Sequence, residues 1–95
     1  MGLLDSTFKL RSDVRHRRVH QEGVVVRQQD PEVITLNDVG TRVLELIAAG
    51  LSVKDMLDVL EQEYEVGREQ LSSDVYAYTN ELLDADVIER ADLAD

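Results

Sequence analysis

The chain has 95 residues, of which 43% are hydrophobic and 32% charged, and it contains no cysteine. This composition is typical of one globular domain, and it excludes disulfides, thiolate metal sites and cysteine nucleophiles, which fits a cytoplasmic location. The net charge of −10 at pH 7 opposes binding to phosphates, and no apolar run approaches the roughly 20 residues that span a bilayer. We therefore expect neither nucleic acid nor a membrane as a partner.

The charges are distributed unevenly along the chain. Residues 1–29 hold six Lys and Arg against three Asp and Glu, which is +3, whereas residues 30–95 hold four against seventeen, which is −13. The acidic part suits a basic ligand, or simply a well-solvated surface. Residues 1–13 show no clear hydrophobic period, so they are predicted to form a loose N-terminal arm ahead of a domain over residues 14–90 and a tail over residues 91–95.

Three β-type segments follow the arm, at about residues 15–20, 24–28 and 33–36. Turn residues separate them, because Gly23 can take a positive φ angle, and Pro31 fixes φ and donates no backbone hydrogen bond. Consecutive strands with short connections pair antiparallel. The pattern therefore predicts a small three-stranded meander.

The hydrophobic period then changes from two to 3.6. Asn37 is a good N-cap for a first helix that ends at Gly50, and Ser52 caps a second helix. A short turn leads to a third helix over about residues 69–83, after which the segment DVIER could return briefly to the sheet. The predicted fold is α+β, with a three-stranded antiparallel sheet followed by three α-helices, and the tight turn between the last two helices suggests a winged helix-turn-helix.

Candidate catalytic and metal-binding residues are few. His16 and His20 would face the same side of a strand, but they have no third ligand nearby, and Arg17 and Arg18 add positive charge. The sequence contains no nucleophile-elbow, metalloprotease, dinucleotide-binding or P-loop motif. We interpret the chain as a binding protein rather than an enzyme, with no metal and no cofactor of its own.

The third helix carries two neighbouring stripes of apolar and small polar residues. The predicted core stripe consists of Leu71, Val75, Tyr78 and Leu82, and the neighbouring stripe consists of Ser72, Tyr76, Thr79 and Leu83. Together they are wider than one packing contact requires. The second stripe could pack under the N-terminal arm, meet a second copy in a homodimer, or form one wall of a peptide groove beside an exposed edge strand.

The same helix is a poor candidate for reading DNA. No Lys or Arg lies between Leu71 and Leu83, whereas recognition helices need cations and amides to meet phosphates and base edges. A winged-helix nucleic-acid-binding regulator and a purely structural homodimeric module are therefore alternatives to peptide binding. The sequence is compatible with either a monomer or a homodimer.

The order and spacing of several segments resemble the PqqD family, the pyrroloquinoline quinone biosynthesis D proteins. The segments that carry the resemblance are VGTRVLELIAAG, SVKDMLDVLEQEY and DVYAYTNELLDADVIE, in that order. The resemblance implies a RiPP recognition element, a winged helix-turn-helix that performs no chemistry. It implies that the domain binds the leader segment of a precursor peptide along the third strand and third helix, and presents it to a modifying enzyme, often a radical SAM enzyme.

Transferred to this chain, the resemblance places the peptide on the third strand and third helix, and the choice of residues within the helix follows from its second stripe and one core position. The predicted peptide-binding residues are Val33, Ile34, Thr35 and Leu36 on the strand, and Ser72, Val75, Tyr76, Thr79 and Leu83 on the helix. The basic N-terminal segment is longer than the minimal module needs. It could dock an enzyme partner or balance the acidic charge.

Overall fold

Two antiparallel sheets and three helices make up the fold, which a computed structural model describes over residues 6–91. The elements in chain order are β1 (Phe8–Leu10), β2 (Val14–Val19), β3 (Glu22–Arg27), β4 (Asp30–Leu36), α1 (Asp38–Ala48), α2 (Val53–Glu63), α3 (Arg68–Asp84) and β5 (Ile88–Arg90). The predicted α+β class is confirmed, including the three-stranded antiparallel sheet and the three helices that follow it.

The predicted meander has the strand order β2-β3-β4, which leaves β4 at one edge. Val25 lies opposite Ile34, and Val26 lies opposite Val33. Because successive side chains of a strand point to opposite faces, these two pairs belong to different faces of the sheet. Val25 is fully buried, so its face is the inner one, whereas Val26 and Val33 belong to an outer face and are 38% and 57% exposed.

Gly23 does not have the turn role that its sequence position suggested. His20 takes the positive φ angle, 59°, in the turn between β2 and β3, whereas Gly23 lies inside β3. A Cβ atom at Gly23 would lie 2.5 Å from Thr41 Oγ1, on the helix that packs against the sheet. The glycine is therefore needed for the close approach of α1 to β3 rather than for the turn.

The N-terminal segment is not a loose arm over its described part. Strand β1 pairs antiparallel with β5, which places Phe8 opposite Arg90 and Leu10 opposite Ile88. Phe8 is only 3% exposed, so its burial in the core holds the segment in place. The segment DVIER thus contains a strand, but this strand pairs with β1 and does not join the meander. Residues 1–5 and 92–95 lie outside the described residues.

Helices α1 and α2 begin at the predicted caps. The Asn37 Oδ1 atom accepts a 2.8 Å hydrogen bond from the Gly40 amide, and the Ser52 hydroxyl accepts one of 3.2 Å from the Asp55 amide. Gly50 follows α1 with a φ angle of 90°, which favours glycine. A short connection joins α2 to α3, and this arrangement beside the meander is compatible with a winged helix-turn-helix.

A hydrophobic core lies between the inner face of the meander, the helices and the second sheet. Its buried members are Phe8, Val14, Val25, Val43, Leu44, Leu46, Ile47, Val53, Met56, Leu57, Leu60, Leu71, Val75, Leu82, Val87 and Ile88. Three of these lie on α3 and fix the rotation of that helix about its axis. This rotation decides which side of α3 lies beside β4.

Candidate functional site

A groove of about 330 Å³ runs between the edge strand β4 and helix α3. Its lining consists of Glu32, Ile34, Thr35 and Leu36 from β4, and Tyr78, Glu81, Leu82 and the C-cap residue Ala85 from α3 and its end. The α3 residues follow an i, i+3, i+4, i+7 spacing, so they form one continuous stripe on the helix. The groove therefore has a strand for one wall and a helix for the other.

A hydrogen bond sets the relative direction of the two walls. The Tyr78 hydroxyl donates to Asn37 Oδ1 at 2.8 Å, and Asn37 follows directly after β4. Tyr78 therefore lies at the end of the groove where β4 finishes. Because α3 runs on from Tyr78 to Ala85, and both line the groove, the helix runs opposite to the strand, toward Glu32.

The outer edge of β4 is open. Within residues 6–91, β4 pairs with β3 alone. Val33 is 57% exposed, and Thr35 is exposed as well. An edge strand presents backbone N–H and C=O groups that can pair with another extended chain. The groove thus lies beside an edge that can accept one more strand.

The four strand residues predicted to bind a peptide all lie at this edge. Ile34, Thr35 and Leu36 line the groove, and Ile34 and Leu36 also pack against the core. Val33 lies next to them on the outer face of the sheet. The structure therefore brings the predicted strand residues together, although their contact with a peptide stays a prediction.

The predicted residues of α3 are placed differently. Val75 and Thr79 are 0% and 1% exposed, and the Thr79 hydroxyl donates back to the Tyr76 carbonyl at 3.0 Å within the helix. Tyr76 is 50% exposed, whereas Ser72 and Leu83 are partly buried. None of these five residues lines the groove. The stripe through Ser72 and Tyr76 lies on the opposite flank of the buried stripe from β4.

Sequence reasoning missed the helix residues that do line the groove. Tyr78 was assigned to the core, but it is only partly buried and its hydroxyl bonds to Asn37. Glu81 and Ala85 are not among the residues predicted from the sequence. The helical spacing of Tyr78, Glu81, Leu82 and Ala85 was visible, but a helical wheel alone does not tell which flank of a buried stripe faces the neighbouring strand.

The groove is acidic, and no Lys or Arg is among its lining residues. Its two charged members are Glu32 on β4 and Glu81 on α3. Arg27, on the neighbouring strand β3, lies 3.8 Å from the Asp86 carboxylate just beyond Ala85. The charged side chains that line the groove are thus both carboxylates.

The cation at the start of α3 is held by neighbouring acids. Arg68 Nη1 donates hydrogen bonds of 2.8 Å to Asp58 and to Glu61 on α2. The hydrogen bond to Asp58, and after it the one to Glu61, raises the pKa of Arg68 above its ordinary value. A phosphate would have to compete with both carboxylates for this guanidinium.

A second surface, the outer face of the meander, is apolar and basic. Val19, Val26 and Val33 are 44%, 38% and 57% exposed there. Arg15 donates only to backbone carbonyls, and Arg17 makes no ion pair with the carboxylates of residues 6–91. A shallow depression of about 280 Å³ lies across this face.

The described residues show neither a candidate metal site nor a candidate membrane-spanning helix. Strand β2 ends at Val19, so His20 lies in the turn and does not share a strand face with His16. Over residues 6–91, no three His, Cys, Asp or Glu side chains come together as candidate metal ligands. Among the helices of this part of the chain, none is long and apolar enough to span a membrane.

Comparisons with known proteins agree with this geometry. A family model described as "Coenzyme PQQ synthesis protein D (PqqD)" matches residues 22–88. The solved structure "TbiB1 in Complex with the TbiA(beta) Leader Peptide" matches with a TM-score of 0.78 and 23% identity, covering 92% of this chain and 99% of that one. "Lasso peptide synthetase B1 complexed with the leader peptide" matches with a TM-score of 0.78 and 24% identity, covering 86% of this chain and 96% of that one. No curated protein sequence matches the chain.

Proposed function

Because the chain belongs to the PqqD family, we propose that it is a leader-peptide-binding adaptor, a RiPP recognition element that holds a ribosomally made precursor peptide for a modifying enzyme. The two structurally similar proteins are both complexes with a leader peptide. At 23% and 24% identity, with a TM-score of 0.78 in both cases, they support the shared fold alone. The argument for binding rests on this chain's own groove.

The open edge of β4 beside the groove is the observation that carries the proposal. A peptide that pairs with β4 becomes a fourth strand of the meander, and every second side chain then points into the groove. Main-chain pairing supplies affinity, and the groove supplies side-chain selectivity. On α3 we therefore propose Tyr78, Glu81, Leu82 and Ala85 as the contact residues, in place of the stripe through Ser72 and Tyr76.

The adaptor acts by tethering. Binding of the leader holds the remaining part of the precursor near the enzyme at an effective concentration that reaches the mM range for a short flexible linker. In this proposal the bond-breaking and bond-forming steps belong to the enzyme, not to this chain. A radical SAM enzyme is one candidate partner class, as the family resemblance implies.

The outer face of the meander is the surface that we propose for the enzyme. It combines exposed valines with Arg15 and Arg17, which no described carboxylate neutralises in an otherwise acidic protein. An enzyme surface that is apolar and acidic would complement it. This face and the groove lie on different sides of β4, so both can be occupied at once.

A nucleic-acid-binding regulator is the weaker alternative. The groove contains two glutamates and no cation, and Arg68, the cation of α3, is already bonded to Asp58 and Glu61. Phosphate contacts would therefore cost existing ion pairs and meet like charge.

An N-methyl scan of the peptide tests the proposed strand addition. The ligand is the leader segment of a short peptide encoded next to the gene for this chain. Its affinity for the protein is measured by calorimetric titration, first unmodified and then with each backbone amide methylated in turn. In an antiparallel ladder, alternate residues direct their N–H and C=O groups toward the partner strand. Affinity should therefore fall at every second position, by about fivefold for a lost hydrogen bond worth about 1 kcal/mol. Losses with no period of two, or no binding at all, would contradict the proposal.

A further inference from the structure

The two ends of the groove differ in chemistry. At the end where β4 finishes, the groove is lined by Tyr78 and Leu36. Next to them, Ile34 and Leu82 extend this apolar surface. Toward the start of β4 the lining side chains include the carboxylates of Glu32 and Glu81. An extended peptide in the groove therefore meets apolar surface at one end and carboxylates at the other.

Glu81 is well placed to meet a cation. Its side chain is exposed, it lines the groove, and within residues 6–91 it makes no hydrogen bond or ion pair through its carboxylate. Arg27, on the sheet side, lies 3.8 Å from the Asp86 carboxylate. A Lys or Arg from the peptide would be the first cation among the groove's lining side chains.

Because strands are pleated, the chemical difference between the two ends of the groove requires a particular spacing of side chains in the peptide. Side chains on one face of a strand recur every second residue, about 6.6 Å apart at a rise of about 3.3 Å per residue. On β4 the same period separates Glu32 from Ile34 and Ile34 from Leu36. Along α3, Tyr78 and Glu81 are about 4.5 Å apart at a rise of about 1.5 Å per residue, which is closer to the spacing of positions i and i+2 than to the roughly 13 Å between i and i+4. A peptide strand beside β4 therefore reaches both when its apolar side chain and its cation lie at positions i and i+2.

Pairing direction sets the order of the two side chains. The meander is antiparallel throughout, and antiparallel pairing is slightly the more stable kind per residue. An antiparallel peptide begins beside Leu36 and ends beside Glu32. Its apolar residue therefore precedes its cation.

We infer that the groove selects extended peptides in which a large apolar residue is followed, two positions later, by Lys or Arg, with the apolar side chain against Tyr78 and Leu82 and the cation beside Glu81. This inference rests on the proposed function, since it takes the peptide to be a strand added to β4. It names the chemical class of segment that the groove accepts. A cation three positions after the apolar residue points away from the groove, toward the outer face.

Three synthetic peptides test the spacing. The first two have identical composition, and Leu is followed by Lys two positions later in the first and three positions later in the second. In the third, Gln replaces the Lys of the first. Fluorescence anisotropy of labelled peptides should give an affinity for the first about fivefold above the other two, the upper range for an exposed ion pair. The advantage should shrink as salt is added, because the charges are exposed.

Protein variants locate the cause of any difference. Glu81→Gln should remove most of the advantage of the first peptide, whereas Glu69→Gln, the same charge change on α3 outside the groove, should preserve it. Equal affinity for all three peptides, with N-methyl losses of period two still present, would overturn the spacing rule and leave the adaptor function intact. An advantage that survives Glu81→Gln would also overturn it. Absence of binding by every peptide, including the leader, would instead count against the adaptor function itself.

Discussion

The Tyr78 hydroxyl and the Asn37 side chain join helix α3 to the end of strand β4 through a 2.8 Å hydrogen bond. The same Asn37 Oδ1 atom accepts the Gly40 amide that begins α1, also at 2.8 Å. One oxygen atom therefore caps a helix and holds the aromatic end of the groove. This arrangement couples the stability of α1 to the shape of the proposed binding site.

Replacing Asn37 tests this coupling. Asn37→Ala removes the cap of α1 and leaves the Tyr78 hydroxyl without its partner, so the free energy of unfolding should fall by about 1–2 kcal/mol. Asn37→Asp keeps an acceptor in place and adds a negative charge at the helix N-terminus, so its free energy of unfolding should fall much less. Urea denaturation of both variants measures the difference. Equal losses would mean that the oxygen acceptor at this position is unimportant.

Gly40 lies against the Tyr78 ring, and a double-variant cycle tests this contact. A Cβ atom at Gly40 would lie 2.9 Å from Tyr78 Cε1, so Gly40→Ala should push the ring out of position and weaken peptide binding. In a Tyr78→Ala background the same substitution should stabilise the protein by up to about 1 kcal/mol, because alanine is the better helix former. The same change in unfolding free energy in both backgrounds would refute the contact.

Gly23 should tolerate no side chain. Gly23→Ala places a Cβ atom 2.5 Å from Thr41 Oγ1 and 2.9 Å from Thr41 Cγ2, both on a buried side chain. We expect a loss of about 2–3 kcal/mol by overpacking, measured by thermal or urea unfolding. Adding Thr41→Ala removes both of those atoms, so it should recover part of the stability that Gly23→Ala loses. A double variant no better than the sum of the two single losses would argue against this contact.

Acid should weaken the packing of α1 against its neighbours. Hydrogen bonds from Arg18 lower the pKa of Glu45, and those from Arg42 lower the pKa of Glu63, below the ordinary value of 4.5. Carboxylates whose pKa is lower in the folded state contribute stability above their unfolded pKa, and this stability is lost as the pH falls through the folded values.

As the pH is lowered from about 5 to about 3, the urea concentration at the unfolding midpoint should therefore decrease, and it should decrease less steeply for a Glu45→Gln, Glu63→Gln double variant. Because these side chains are partly exposed, added salt should reduce the difference between the two proteins. Parallel pH profiles for the wild type and the double variant would show that these ion pairs do not contribute.

Proline on the two edges of the meander separates strand addition at β4 from a general effect on the sheet. Thr35→Pro removes a backbone donor from β4, and Arg17→Pro makes the matched change in β2, the opposite edge strand. With folding checked by circular dichroism, Thr35→Pro should weaken binding of the leader by about fivefold or more. Arg17→Pro should bind the leader as the wild type does. Equal losses would place the effect in the sheet as a whole.

Local patterns predicted the meander and the helices correctly because each depends on neighbouring residues. The change of period after Leu36 marks the entry into α1, and the Asn37 and Ser52 caps follow from side-chain oxygens that reach amides three residues away. The strand residues of the groove were predictable for the same reason, since Val33 to Leu36 form an apolar strand at the end of a meander.

Features that depend on distant residues were not predictable in this way. Phe8–Leu10 pair with Ile88–Arg90 across almost the whole chain, and three residues are too few to show a strand period. The wall of the groove on α3 depends on which flank of the helix meets β4. That choice is made by Leu71, Val75 and Leu82 together as they pack in the core, which leaves Tyr78 and Glu81 beside the strand.

Nuclear magnetic resonance during titration with the leader peptide tests the central claim most directly. We predict that the largest amide shifts, and new protection from hydrogen exchange, occur along Val33 to Leu36 and along the α3 stripe from Tyr78 to Ala85, with intermolecular contacts between backbone protons of the peptide and β4. Shifts confined to α2 or to the Ser72 and Tyr76 flank of α3, with β4 unchanged, would contradict the account.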